Sequence, residues 1–200
     1  NGSSVWNQKL LKLGTNEYAY SIKRTVNGHF IILGYTDEGG IMLIKANSEG
    51  NEYQRKTLGI SAVGLSIDTT IDGGYIITGE QEGKLLVIKI NNALSVEWTK
   101  LYGDDTYSNT GRSIVSLPDG QIVIVGGSNK NLNNENDLNG KVYLLKIDEM
   151  GIPVWTKFLL EEHCCFKEGL SINKTSDDGF IIAGRTNYNP NTQNGDAFFV

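Results

Sequence analysis

The sequence predicts an all-β chain, a β-propeller of four-stranded antiparallel blades. Three observations carry this: a turn-and-strand phrase that recurs four times, companion segments that recur in phase with it, and apolar runs without a helical stripe. The phrase reads NGHFIILG from 27, DGGYIITG from 72, DGQIVIVG from 119 and DDGFIIAG from 177. Its closing glycine falls at Gly34, Gly79, Gly126 and Gly184, spaced 45, 47 and 58 residues apart. Self-similarity at such a period is the mark of a repeat architecture.

Each copy contains four elements. The first, A, carries a Ser-Ile pair: Ser21-Ile22, Ser66-Ile67, Ser113-Ile114 and Ser171-Ile172. The second, B, is the phrase itself. Between A and B stand Asn27-Gly28, Asp72-Gly73, Asp119-Gly120 and Asp178-Gly179, residues that tolerate the positive φ of a two-residue hairpin turn. The third, C, is an apolar run reaching a lysine, IMLIKA at 41, LLVIKI at 85 and VYLLKI at 142. The fourth, D, opens on an aromatic: Tyr53, Trp98 and Trp155, with Trp6 as the matching residue near the start.

Elements B and C are runs of four to six apolar, often β-branched residues bounded by Gly, Asn and Asp. They are too short for helices and read as strands buried on both faces. Sheets of that kind cannot bury themselves alone, and radial stacking about an axis solves the problem. The expected blades span about 20–58, 65–103, 112–160 and 170–200 of one domain, the last incomplete without a strand at 4–13. With that strand the ring closes at four blades; otherwise these are blades of a larger ring, or of a ring completed by another chain.

The run WTKLYG, then a Ser-Ile strand, then TIDGGYIITGE and LLVIKIN resembles the tandem repeat of secreted and cell-surface propeller proteins of bacteria and archaea. In that family a WxKxxGG element alternates with an xDGGYIxxGxT element. The resemblance covers nearly the whole chain. It implies the propeller fold and an extracellular or cell-surface setting, and it brings no catalytic residues. Departures are Tyr53 in place of tryptophan, single glycines at Gly59 and Gly103, and FLLEEHCCFKEG in the fourth copy.

Net charge is −5 and the isoelectric point about 5.1, so the basic surface that phosphate neutralisation needs is missing and no nucleic-acid partner is expected. No stretch approaches the roughly 18 consecutive apolar residues of a membrane span. The two cysteines are the neighbours Cys164 and Cys165, which exclude a disulfide framework and are expected as thiols.

The D-to-A and B-to-C connections share one face of a propeller, and length variation is concentrated there. Two B-to-C loops are enlarged, GSNKNLNNENDLNG (127–140) and NYNPNTQNGD (187–196). Their amides and their rim neighbours form the candidate ligand site: Asn131, Asn133, Asn134, Asn136, Asp137, Asn187, Tyr188, Asn191 and Asn194, with Tyr107 and Arg112. Glu135, Asp137 and Asn139 echo the start of a calcium loop, but Lys146 stands where the closing acid belongs, so no metal is expected.

Rim acids and His163 give no legible trio of nucleophile, base and orienter. The expected function is therefore a non-enzymatic extracellular binding module, without cofactor, taking a glycan or protein partner on the long-loop face. A structural subunit that self-assembles through its terminal strands is the alternative.

Overall fold

The computed structural model describes residues 15–103, 105–131, 140–160, 166–188 and 196–199. Their regular structure is entirely strand, fifteen of them in four antiparallel sheets that follow the repeat. Blade 1 is β1 (Glu17–Arg24), β2 (Phe30–Thr36), β3 (Gly40–Ala46) and β4 (Glu52–Thr57). Blade 2 is β5 (Val63–Thr69), β6 (Tyr75–Gln81), β7 (Lys84–Ile90) and β8 (Val96–Tyr102). Blade 3 is β9 (Tyr107–Ser116), β10 (Ile122–Asn131), β11 (Lys141–Ile147) and β12 (Pro153–Leu159). Blade 4 comprises β13 (Phe166–Lys174), β14 (Phe180–Tyr188) and β15 (Asp196–Phe199). The segment expected to complete it, 4–13 with Trp6, lies outside the described residues.

Burial follows the order of strands. Every residue of β3 is buried and β7 is nearly so, whereas β4, β8 and β12 are half-buried or exposed apart from Tyr102 at the end of β8. The middle strands are covered on both sides because each sheet is sandwiched by its neighbours. Register puts Ile67, Ile77 and Ile88 on one face of blade 2, and they pack on Ile31, Leu33, Ile41 and Leu43 of blade 1. Ile114, Ile124 and Leu145 of blade 3 meet Ile76, Leu85 and Val87 in the same way. Ile172 and Ile182 of blade 4 meet Val123, Val125, Val142 and Leu144. Each such side chain contributes about 1.5–3 kcal/mol on burial.

The A strands neighbour one another in sequence order, β1 to β5 to β9 to β13. The serine of the Ser-Ile pair links them: Ile67 N–H donates to Ser21 Oγ (3.4 Å) and Ile172 N–H to Ser113 Oγ (3.3 Å). Asp68 adds a second link by accepting from Ser116 N–H at 2.9 Å and pairing with Lys23 at 3.2 Å.

The recurrence of the closing glycine has a steric cause. Each A strand carries a bulge, at Tyr20, Leu65, Arg112 and Leu170, where the register with its partner shifts by one. Just before the bulge the A-strand carbonyl leans onto the B strand. A Cβ at Gly34, Gly79, Gly126 or Gly184 would overlap the carbonyl oxygen of Tyr18, Val63, Thr110 or Glu168 respectively.

The A-to-B turns differ from the two-residue hairpin expected. Five residues separate the strands, as in 25–29, where Thr25 N–H donates to His29 O (2.8 Å) and Gly28 N–H to Thr25 O (2.9 Å). A tight turn followed by one left-handed residue produces this pattern. That residue is Gly28, Gly73 and Gly120 in three copies, but Asp178 (φ 65°) in the fourth, so the turn pair there is Asp177-Asp178 rather than Asp178-Gly179. The side chain just before the left-handed residue holds the turn: Asp72 accepts from Gly74 N–H at 3.1 Å and from the Thr70 hydroxyl at 2.6 Å.

Candidate functional site

At the A-strand end of the boundary between blades 3 and 4, two guanidinium groups grip one carboxylate. The Arg112 Nε donates to Glu168 Oε2 at 2.8 Å, and Arg185 Nε to Glu168 Oε1 at 2.7 Å. Glu168 is 1% exposed, while the side chains of Arg112 and Arg185 are 33% and 37% exposed. The acid is therefore an internal anchor, and the arginines form the wet edge of the cluster. Lys167, next in the strand, is also buried, and Arg185 lies over the Phe166 ring at 5.4 Å.

Each part has a local origin. Arg112 is the bulge residue of β9, and a bulge re-aims the side chain it carries. Register seats Glu168 of β13 directly opposite Arg185 of β14. An ionised carboxylate taken out of water is tolerated only with charged or hydrogen-bonded partners, and here it has two. What the arrangement can do is hold planar guanidinium donors rigidly at a partly open edge, a geometry suited to carboxylate or phosphate oxygens.

Sequence reading singled out Arg112 and missed its anchor. The positions in phase with Glu168 are Tyr18, Val63 and Thr110. A Lys-Glu pair in an inner strand whose counterparts carry no such pair was the available signal. Tyr107, the other rim residue expected, starts β9, pairs with Asn131 and lines a separate cleft of about 290 Å³ with Asn109, Lys141 and Phe158. The structure does not bring Tyr107 and Arg112 together in that cleft.

Most of the expected loop site falls on residues that are not described. Asn133, Asn134, Glu135, Asn136, Asp137, Asn139, Asn191 and Asn194 are outside the described residues, as are Cys164 and Cys165. Asn131, Asn187 and Tyr188 are placed as the ends of β10 and β14, with Tyr188 opposite Phe166.

The same face has a second feature between blades 1 and 2. A cleft of about 440 Å³ is bordered by Asp37, Glu38, Glu80 and Glu82 and by no Lys, Arg or His. Two of these acids are tied down: Asp37 accepts from Asn16 at 2.7 Å and Glu80 from Gly83 N–H at 2.6 Å. Among the described residues no three His, Cys, Asp or Glu side chains converge as a metal site. No helix among them is long and apolar enough to cross a membrane.

Stacked four-stranded antiparallel sheets with inner strands in sequence order define a β-propeller. Among solved structures the chain is similar to the holo form of the pyranose dehydrogenase PQQ domain from Coprinopsis cinerea, with TM-score 0.51 and 8% identity over 87% of this chain and 47% of that one. The chain thus spans about half the length of that domain, and the likeness establishes the fold alone. It is also similar to virginiamycin B lyase from Staphylococcus aureus, with TM-score 0.49 and 13% identity over 92% of this chain and 73% of that one. No protein-family profile and no curated protein matches the chain.

These likenesses correct one expectation. The expected function was a non-enzymatic binding module, read from the long loops of one face, with a structural subunit as its alternative, and catalysis was set aside because no catalytic trio was legible. The similar pyranose dehydrogenase domain is a propeller from an enzyme, so a blade stack of this kind is no ground for setting catalysis aside. The β-propeller itself stands; membership of the WxKxxGG repeat family is not established by these neighbours.

Proposed function

We propose that this chain contributes propeller blades to an enzyme, and that the Arg112–Glu168–Arg185 cluster fixes the acid group of a small organic substrate or cofactor. The observation that carries this is the carboxylate of Glu168, almost wholly buried yet bonded to two arginines whose side chains are about a third exposed. A buried carboxylate locks side chains that would otherwise lose rotamer freedom on binding, so less of the ligand's affinity is spent on ordering them. The similar propeller, described as a PQQ domain in its holo form, supports a small-molecule role for a blade stack of this kind. Polarity supports it too: the acidic cleft of blades 1 and 2 repels an anion, which favours its settling at blades 3 and 4.

Calorimetric titration tests the proposal, with PQQ and a set of small di- and tricarboxylates as probes. Saturable binding is expected for at least one probe, weakened tenfold or more by Arg112→Gln and by high salt. Glu168 keeps Arg185 in that variant, so the fold should survive, and an unchanged circular dichroism spectrum would verify it. Absence of saturable binding for every probe, or affinity indifferent to Arg112→Gln, would overturn the proposal.

A further inference from the structure

Three blade boundaries are filled, and the repeat shows that a fourth set of matching surfaces is left bare. On the face of blade 1 turned away from blade 2, Ile22 is 55% exposed, although its counterparts Ile67, Ile114 and Ile172 are 4% exposed or less. On the face of blade 4 turned away from blade 3, Ile181 is 50% exposed, although its counterparts Ile31, Ile76 and Val123 are fully buried. No core cluster among the described residues joins blade 4 to blade 1.

The two bare faces fit each other in size. At the filled boundaries a glycine of the A strand lies under a larger residue of the preceding blade. Gly64 faces Leu33, Gly111 faces Thr78 and Gly169 faces Val125, and a Cβ on any of the three would crowd that side chain. Blade 1 departs from the rule with an exposed Ala19, and blade 4 departs in the opposite sense with the small Ala183 where the others have Leu33, Thr78 and Val125. An added methyl on one face thus meets a reduced side chain on the other. Hydrogen bonding matches as well: Ser171, exposed, is in phase with Ser21 and Ser113, whose hydroxyls accept the isoleucine N–H of the next blade, and Ile22 is the isoleucine in phase with Ile67 and Ile172.

We propose that the occupant of these faces is a second copy of the chain. Blade 4 of each copy stacks on blade 1 of the other, with Ile181 and Ala183 against Ile22 and Ala19. A head-to-tail contact of this kind either closes or continues as a filament. The described blades of two copies number eight, within the usual range of four to eight, whereas those of three would number twelve. The contact is face to face, as between the blades of one chain, and needs no pairing of strand edges.

Size-exclusion chromatography with light scattering tests this on the intact chain. A mass of about 44 kDa is expected, twice the 22.0 kDa of one copy, falling to one copy in Ile22→Asp and in Ile181→Asp. Both sites are half exposed in the single copy, so the variants should keep the wild-type circular dichroism spectrum. The contact itself is read with Ala19→Cys combined with Ala183→Cys, in a background carrying Cys164→Ser and Cys165→Ser. Oxidation should yield a disulfide-linked pair of chains. A wild-type mass of one copy, a disulfide formed within a single chain by closure of its own four blades, or no disulfide at all would overturn the proposal.

Discussion

At the scale of single residues, the glycine that ends each repeated phrase is required by a neighbour's carbonyl rather than by its own backbone angles. A methyl at Gly126 would overlap Thr110 O, a backbone atom that cannot rotate away. Gly126→Ala should therefore cost about 3 kcal/mol or more, at the upper end of overpacking penalties, and urea unfolding would read it. Gly73 makes the contrast: a Cβ there meets no atom, so Gly73→Ala costs only the strain of its positive φ. Asp72 sets a pH dependence. Burial pushes its pKa up, but hydrogen bonds from Lys89, Thr70 and Gly74 N–H outweigh this and bring it down to about 2 from the ordinary 3.8. A lowered carboxylate pKa gives stability that is complete above the unfolded value and is lost as pH falls toward 2. The side chain is more than half exposed, so the effect is screened and small. Thermal melting between pH 5 and 2 should fall less steeply in Asp72→Asn than in wild type.

Elements are tied to one another by a few directed bonds. Tyr102, at the end of β8, donates its buried hydroxyl to Gly151 O in the turn before β12 at 2.7 Å, and Lys100 reaches the neighbouring Met150 O at 2.6 Å. Burial, followed by the charge of Asp148, raises the Tyr102 pKa, which keeps the phenol protonated as a donor. Tyr102→Phe should cost about 1 kcal/mol by leaving that carbonyl without its partner, with no change in sheet content. The strands themselves were legible in the sequence because period, apolar runs and turn residues all pointed the same way. The bulges were not, since an extra residue in one strand shows only against its partner. The fourth turn was misjudged because Asp-Gly was matched by residue type rather than by distance from the phrase, and Asp178 takes the left-handed position that glycine fills elsewhere. The site was half legible: Arg112 stood out on the rim, but Glu168 becomes meaningful only when β13 and β14 are in register and blade 3 is stacked beside them.

For the molecule as a whole, the order of blades rests on which residue of one sheet faces which residue of the next. That assignment underlies the packing of the core, the placement of Arg112 against Glu168 across a blade boundary, and the match between the two bare faces. A double-mutant cycle across the boundary of blades 3 and 4 examines it most directly, using Gly169→Ala and Val125→Ala. A methyl at Gly169 would collide with Val125 Cγ2, so each change alone should destabilise, one by overpacking and the other by leaving a void. Together the alanine methyl occupies the space the valine gives up. Urea unfolding of the four proteins should show the double variant less destabilised than the sum of the single changes by about 1–2 kcal/mol. Additivity within about 0.5 kcal/mol would mean that the two residues do not face each other, and the stacking of blade 4 on blade 3 would be wrong.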